Sequence, residues 1–361
     1  MPVYVGIREI DAEKVVLVHS RQSVEDAERV KKDFPTVEEL VRFDPLDYDL
    51  IQKDAIGLLE RFTNDEVTVN VSSGTKPWAI AFAFLSERYG NVSIIYVDQN
   101  SVLYDYTHNE KKNATVEFDI ATLLRFNNRE YSSCVLLDDY TDDDLKVLND
   151  VKNFRKVNFR DFNKLTILNG KENNKFQNDK TGTLGLMDGS SISWDKNANR
   201  IEMVLGNKRR EPVRKVFVSP NVMKIVMNTG WFEYEVARLL SGWKHASEIK
   251  MNVVFPYNGS LPKNEIDVML STGRKLVFVE CKTQIFKNTD IDKFSTVVKN
   301  YGGLGCKALF VTEGNMKAEA KEKCNDNKIM TFSMKDEFGM LSREQALYMM
   351  LDNELFNTNI R

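Results

Sequence analysis

The 361-residue chain contains no apolar run approaching the length of a membrane span, so no helical anchor is expected within it. Its N-terminus, MPVYVGIREIDAEKVVLVHS, carries acids inside the early apolar stretch and lacks a signal-peptide layout. It also has no CxxC pair. The four cysteines, Cys134, Cys281, Cys306 and Cys324, are scattered and are expected as free thiols in a reducing, cytoplasmic setting. An excess of positive charge is missing too: 50 Lys and Arg against 53 Asp and Glu leave a net charge of −3, which excludes a protein that coats DNA by bulk charge. Nucleic acid would have to meet a local basic surface, such as Lys208–Arg210 or Arg214–Lys215, and solvated faces explain those clusters equally well. The apolar content of 42% is ordinary for globular proteins, and the length allows two or three domains.

The most informative segment runs from Asn264 to Gln284, NEIDVMLSTGRKLVFVECKTQ. It reads as two strands joined by a Thr-Gly-Arg turn. Alternation puts Glu265, Asp267 and Met269 on one face and Ile266, Val268 and Leu270 on the other. Leu276 to Val279 is wholly apolar, as in a strand covered on both faces, and the strand ends in Glu280 and Lys282, which share a face. Charges at such a place are expected to be paired or bound to a metal. Two carboxylates and a nearby ammonium suit Mg²⁺ or Mn²⁺ and the activation of water against a phosphodiester. Upstream, the helix TGWFEYEVARLLSGW places Glu233 on the same face as Val236, Ala237 and Leu240.

The N-terminal third alternates strands and helices. VVLVHS ends in the polar loop Ser20-Arg21-Gln22-Ser23, with Ser23 expected to cap a helix from Val24 to Asp33. VEELVRF is a second strand, Tyr48 to Phe62 a helix, and VTVNV a third strand running into Ser72-Ser73-Gly74-Thr75-Lys76-Pro77. A helix, WAIAFAFLSERYG, and a strand, NVSIIYVDQN, follow. This order predicts a doubly wound α/β sheet with ligands beyond the strands' carboxyl ends. Small residues, a glycine, a lysine and a helix N-terminus suit a phosphate, although neither GxxxxGK[ST] nor GxGxxG is present.

Asp267 with Glu280-Cys281-Lys282 resembles the PD-(D/E)xK nuclease superfamily, in which an acid on the preceding helix, here Glu233, is a further feature. NVSSGTKPWAIA is similar to the ligand loop of CARF domains, the Rossmann-like sensors of cyclic oligoadenylate. Together they resemble the CRISPR ancillary nucleases of the Card/Can type, and the likeness continues through NYGGLGCKALFVTEG. The resemblance implies a homodimeric, metal-dependent endonuclease acting on DNA and/or RNA and switched on by cyclic tetra-adenylate. It implies a metal held by Asp267, Glu280 and the carbonyl of Cys281, with Glu233 holding a metal-bound water or a second ion. Lys282 would orient or deprotonate the water, and Gln284 would position water or phosphate. Ser20, Arg21, Gln22 and residues Ser72, Ser73, Gly74, Thr75 and Lys76 would line the activator site.

These expectations divide the chain into a sensor at 1–140, a connecting region at 141–215 and a nuclease at 216–361. The connecting region reads as a winged-helix-like module or a nuclease extension. Ahead of it Ile120 to Glu130 reads as a helix; within it Asn169 to Lys180 reads as a mobile loop, and SISWDKNANRIEMVL as a hairpin. Two other functions stay open: a ligand-gated nucleic-acid-binding regulator without cleavage, and a ring nuclease degrading its own activator. No histidine or paired acids stand beside the Ser73–Lys76 loop to support the latter.

Overall fold

A computed structural model describes residues 1–207, 210–256, 264–283, 288–303 and 305–356. The chain divides into two units, Met1–Glu117 and Phe118–Arg361. The boundary falls earlier than the position near 140 read from the sequence, because residues 133–136 hydrogen-bond into a sheet of the second unit.

The first unit contains α1 (Pro2–Ile10), β1 (Val15–His19), α2 (Val24–Asp33), β2 (Val37–Arg42), α3 (Tyr48–Leu59), β3 (Val67–Asn70), α4 (Lys76–Ser86), β4 (Val92–Val97), β5 (Val102–Asp105) and β6 (Glu110–Asn113). β1 and β2 pair in parallel, as do β3 and β4, while β5 and β6 continue the second ladder antiparallel. Parallel strands joined by helices force the polar loops to one end, and hydrogen bonds tie those ends together. The Phe43 N–H donates to the His19 carbonyl at 2.9 Å, and Trp78 Nε1 donates to the Asp44 carbonyl at 2.6 Å. Beneath them Phe43, Ile51, Trp78, Phe82, Leu85 and Ile94 form one buried core. Gly6 permits a close approach: a Cβ there would lie 2.1 Å from Asn70 Nδ2, which reaches the Pro2 carbonyl.

The second unit opens with α5 (Ile120–Arg125), β7 (Ser133–Leu136), α6 (Asp142–Phe154), α7 (Phe159–Thr166) and α8 (Gly170–Asn178). β8 (Thr181–Gly185), β9 (Ser191–Asp195), β10 (Arg200–Asn207) and β11 (Arg210–Val218) then form an antiparallel meander. The expected hairpin is β9–β10. The expected loop at 169–180 is instead α8. Its nine residues hold a single buried apolar side chain, Phe176, set edge-on against Trp194 at 5.4 Å, so no periodic pattern announced the helix.

α9 (Val222–Val226), α10 (Gly230–Ser241), β12 (Glu248–Val254), β13 (Glu265–Ser271), β14 (Leu276–Lys282), α11 (Asn288–Val297), β15 (Lys307–Thr312), α12 (Ala318–Asp326), β16 (Ile329–Ser333) and α13 (Arg343–Phe356) complete the chain. The six-stranded order is β16-β15-β14-β13-β12-β7, with β14, β15 and β16 parallel to one another and the β14–β13, β13–β12 and β12–β7 pairs antiparallel. Three antiparallel strands followed by parallel β15 and β16 are the order anticipated from the sequence. One apolar cluster runs from Val147 and Phe162 through Phe217 and Trp231 to Val279 and Leu309, so the helices and meander ahead of α9 share the core of the six-stranded sheet.

Candidate active site

The site is built at the ends of β13 and β14, beneath α10. Leu276 to Val279 are buried on both sides, which anchors β14 before it delivers Glu280 and Lys282 to the same face. β13 brings Asp267 alongside. Lys282 Nζ lies 2.6 Å from Glu280 Oε1 and 3.9 Å from Asp267 Oδ2, while the Cys281 N–H donates to Asp267 Oδ2 at 2.7 Å. The Asp267 and Glu280 side chains are 16% exposed and Lys282 34%, so the cluster is largely withdrawn from water.

α10 lies against β12, β13 and β14. Val236, Ala237 and Leu240 are buried, and Glu233 turns inward with them as helical spacing requires. Its Oε2 accepts from Asn252 Nδ2 at 2.7 Å. Asn252 was not legible as a site residue; its only signal was a lone amide within the apolar run of β12, EIKMNVV.

Two acids pair with one cation while a third, Glu233, feels their charges, and the electrostatics follow. Burial, reinforced by the Asp267 charge, pushes Glu280 up to about 7 against the pull of Lys282. Burial and Asp267 hold Glu233 well above the usual carboxylate range, and burial raises Asp267 despite Lys282 and the Cys281 N–H. For Lys282 burial disfavours the ammonium, but Asp267 and Glu280 outweigh it and the pKa rises. The Cys281 thiol, deeply buried beside these acids, is held far above its ordinary value and is no nucleophile.

Among the described residues no three His, Cys, Asp or Glu side chains converge as a ready metal cage. The donor set is nevertheless chemically suited to a hard cation: two carboxylates on adjacent strands, each raised first of all by burial, with a backbone carbonyl between Glu280 and Lys282. Gln284 lies outside the described residues.

In the first unit, Ser72, Ser73, Gly74 and Thr75 form the turn between β3 and α4. Ser72 is committed to the scaffold: its hydroxyl bonds Asn70 and accepts from the Val97 N–H at 2.6 Å. Thr75 Oγ1 caps α4 by accepting from the Trp78 N–H at 3.4 Å. Ser73, Gly74 and Lys76 face solvent. At the end of β1, Arg21 and Gln22 are exposed, whereas Ser20 is buried and exchanges hydrogen bonds with Ser23 around a short 3-10 turn. Ser23 therefore serves that turn and gives α2 no side-chain cap.

Residues 221–344 match the family model described as the Card1-like endonuclease domain. No curated protein sequence matches the chain. Among solved structures, Can2 from Sulfobacillus thermosulfidooxidans in complex with cyclic tetra-adenylate is similar at TM-score 0.63 and 20% identity, over 98% of this chain and 96% of that one. Protein VC1899 from Vibrio cholerae is similar at TM-score 0.67 and 15% identity, over 97% and 93%. A type III CRISPR defence DNA nuclease activated by cyclic oligoadenylate is similar at TM-score 0.54 and 15% identity, over 94% of this chain and 47% of that one. Over nearly its whole length the chain thus shares the fold of these proteins, and its C-terminal part matches the Card1-like endonuclease domain.

Proposed function

We propose that the chain is a metal-dependent endonuclease cleaving DNA or RNA phosphodiesters, gated by cyclic tetra-adenylate bound to its first unit. The observation that carries this reading is the convergence of Asp267, Glu280 and Lys282 within ion-pair distance, with Glu233 facing them from α10. Asp267, Glu280 and the Cys281 carbonyl would hold a Mg²⁺ or Mn²⁺ ion, which when bound supplies Lewis-acid charge to a phosphate oxygen and to the attacking water. Lys282, kept as an ammonium by its two neighbours, suits donation to the phosphate as negative charge builds there, rather than proton abstraction. Glu233, with one oxygen occupied by Asn252, is placed to orient water through the other.

For the activator, the solvent-facing Ser73, Gly74 and Lys76 at the N-terminus of α4, with Arg21 and Gln22, support phosphate recognition through backbone N–H groups, helix dipole and side-chain charge. A homodimer is supported by Ile80 and Phe84, one helical turn apart on the same α4 and 50% and 58% exposed. A second copy covering that face would bring two such loops to one ring. No helix among the described residues is long and apolar enough to cross a membrane, and the proposed work is cytoplasmic.

The test is cleavage of plasmid DNA, single-stranded DNA and single-stranded RNA with Mn²⁺, with and without cyclic tetra-adenylate. Activator-dependent cleavage is expected. Binding of nucleic acid without cleavage would favour a regulator, and loss of the activator alone would favour a ring nuclease.

A further inference from the structure

The β12–β13 ladder keeps its register across the site: Met251 pairs with Val268 and Val253 with Ile266, which sets Asn252 opposite Asp267. Yet Asn252 leaves extended backbone altogether, with φ at 47° in the middle of a strand. On the other edge of β12 the pairing with β7 is irregular between Met251 and Val254. A left-handed residue inside a strand is unfavourable and persists only where its surroundings impose it, and asparagine is among the few residues that tolerate it. Such local distortions re-aim a side chain. Here the half-buried amide is turned toward α10, where Nδ2 meets Glu233 Oε2 at 2.7 Å.

From this geometry we infer that Asn252 is a positioning residue for the cleavage reaction, held in a left-handed conformation so that its amide fixes the Glu233 carboxylate. The amide suits the task because it is neutral. A cation there would compete with Lys282 for the acids, and a further carboxylate would add to the Asp267 repulsion that already acts on Glu233. It leaves Glu233 a free oxygen and a fixed plane. The inference rests on the nuclease reading, so its test has an arm that needs no cleavage.

Asn252→Gly keeps the left-handed backbone at lower cost and deletes only the amide. Activated cleavage by this variant should fall at least tenfold in kcat, with KM and the half-saturating activator concentration unchanged. Combined with Glu233→Ala, it should add no further loss. In parallel, urea midpoints of the metal-free wild type, both single variants and the double variant should be non-additive, because the two residues share one contact. Asn252→Asp, which also tolerates the backbone, should lose turnover as Asn252→Gly does. Wild-type turnover by Asn252→Gly, multiplying losses in the double variant, or additive midpoints would each overturn the inference. Non-additive midpoints in a protein that cleaves nothing would uphold the contact and sink the nuclease reading instead. If Asn252→Gly does not fold, Asn252→Asp carries both arms, and wild-type turnover by it overturns the inference.

Discussion

The Cys281 N–H donates to Asp267 Oδ2 at 2.7 Å, so the backbone of the strand that carries Glu280 and Lys282 clamps the carboxylate of the strand beside it. The oxygen so fixed, Oδ2, is also the one that faces Lys282 Nζ at 3.9 Å. The acids are placed by the sheet itself rather than by loops, which suits a centre that must hold its geometry.

Glu280→Ala or Lys282→Ala should lower activated cleavage by about two orders of magnitude or more, the scale of losing a charge that stabilises the transition state. Activator binding, measured by calorimetry, should be unchanged, since neither residue belongs to the first unit. Cleavage at the wild-type rate by either variant would exclude this site.

The stability of the metal-free protein should depend on pH in an unusual direction. Glu280 binds its proton more tightly folded than unfolded, with a pKa near 7 against an ordinary 4.5. Its contribution is therefore full below about pH 4.5 and is lost as pH rises through about 7, on the order of 3 kcal/mol when lost entirely. Glu233 and Asp267 are shifted in the same sense. Thermal melting in chelator should decline across this window, and Glu280→Gln should flatten the decline. A wild-type profile that rises across the window, or an unchanged slope in the variant, would contradict the electrostatics. Added Mn²⁺ should restore stability at high pH, because a ligand that binds only the folded state stabilises it.

Lys76→Ala should weaken cyclic tetra-adenylate about ten- to a hundredfold, the scale of one charged hydrogen bond at about 1.5–3 kcal/mol. The dose–response curve should move to higher activator while the maximal rate holds. An unmoved curve would mean that the loop before α4 does not hold phosphate.

Behind the site, Arg155 pairs with both oxygens of Glu313, and its guanidinium lies 4.3 Å from the Trp231 ring centroid and 4.6 Å from that of Phe159. Arg155 is only 5% exposed. The Glu313 N–H in turn donates to the Lys282 carbonyl at 3.0 Å. Glu313→Ala leaves a buried charge without its partner and should destabilise the second unit by about 3–5 kcal/mol. Urea unfolding would show this, and a midpoint within error of wild type would refute it.

Phe84→Asp should convert a species of about twice the chain mass to one of single mass in light scattering, and should reduce activator-dependent cleavage with it. A dimer that survives this change would place the interface away from α4.

The chain by itself determined the parts whose signals are local. A period-two strand ending in acids, an apolar run closed by Glu280 and Lys282, and the inward spacing of Glu233 with Val236 and Leu240 follow from strand and helix geometry alone. So does the small polar turn ahead of α4. Tertiary structure decided what depends on distant partners. α8 exists because Phe176 finds Trp194, and a helix with one apolar contact leaves no pattern to read. β7 joins the nuclease sheet by pairing with β12 more than a hundred positions away, which moved the unit boundary to Glu117. That the Ser72 hydroxyl bonds Asn70 and the Val97 N–H likewise depends on a strand 25 positions away. Asn252 became visible only when the fold turned its backbone left-handed against Glu233, because periodicity records which face a residue occupies and not which single side chain it will meet.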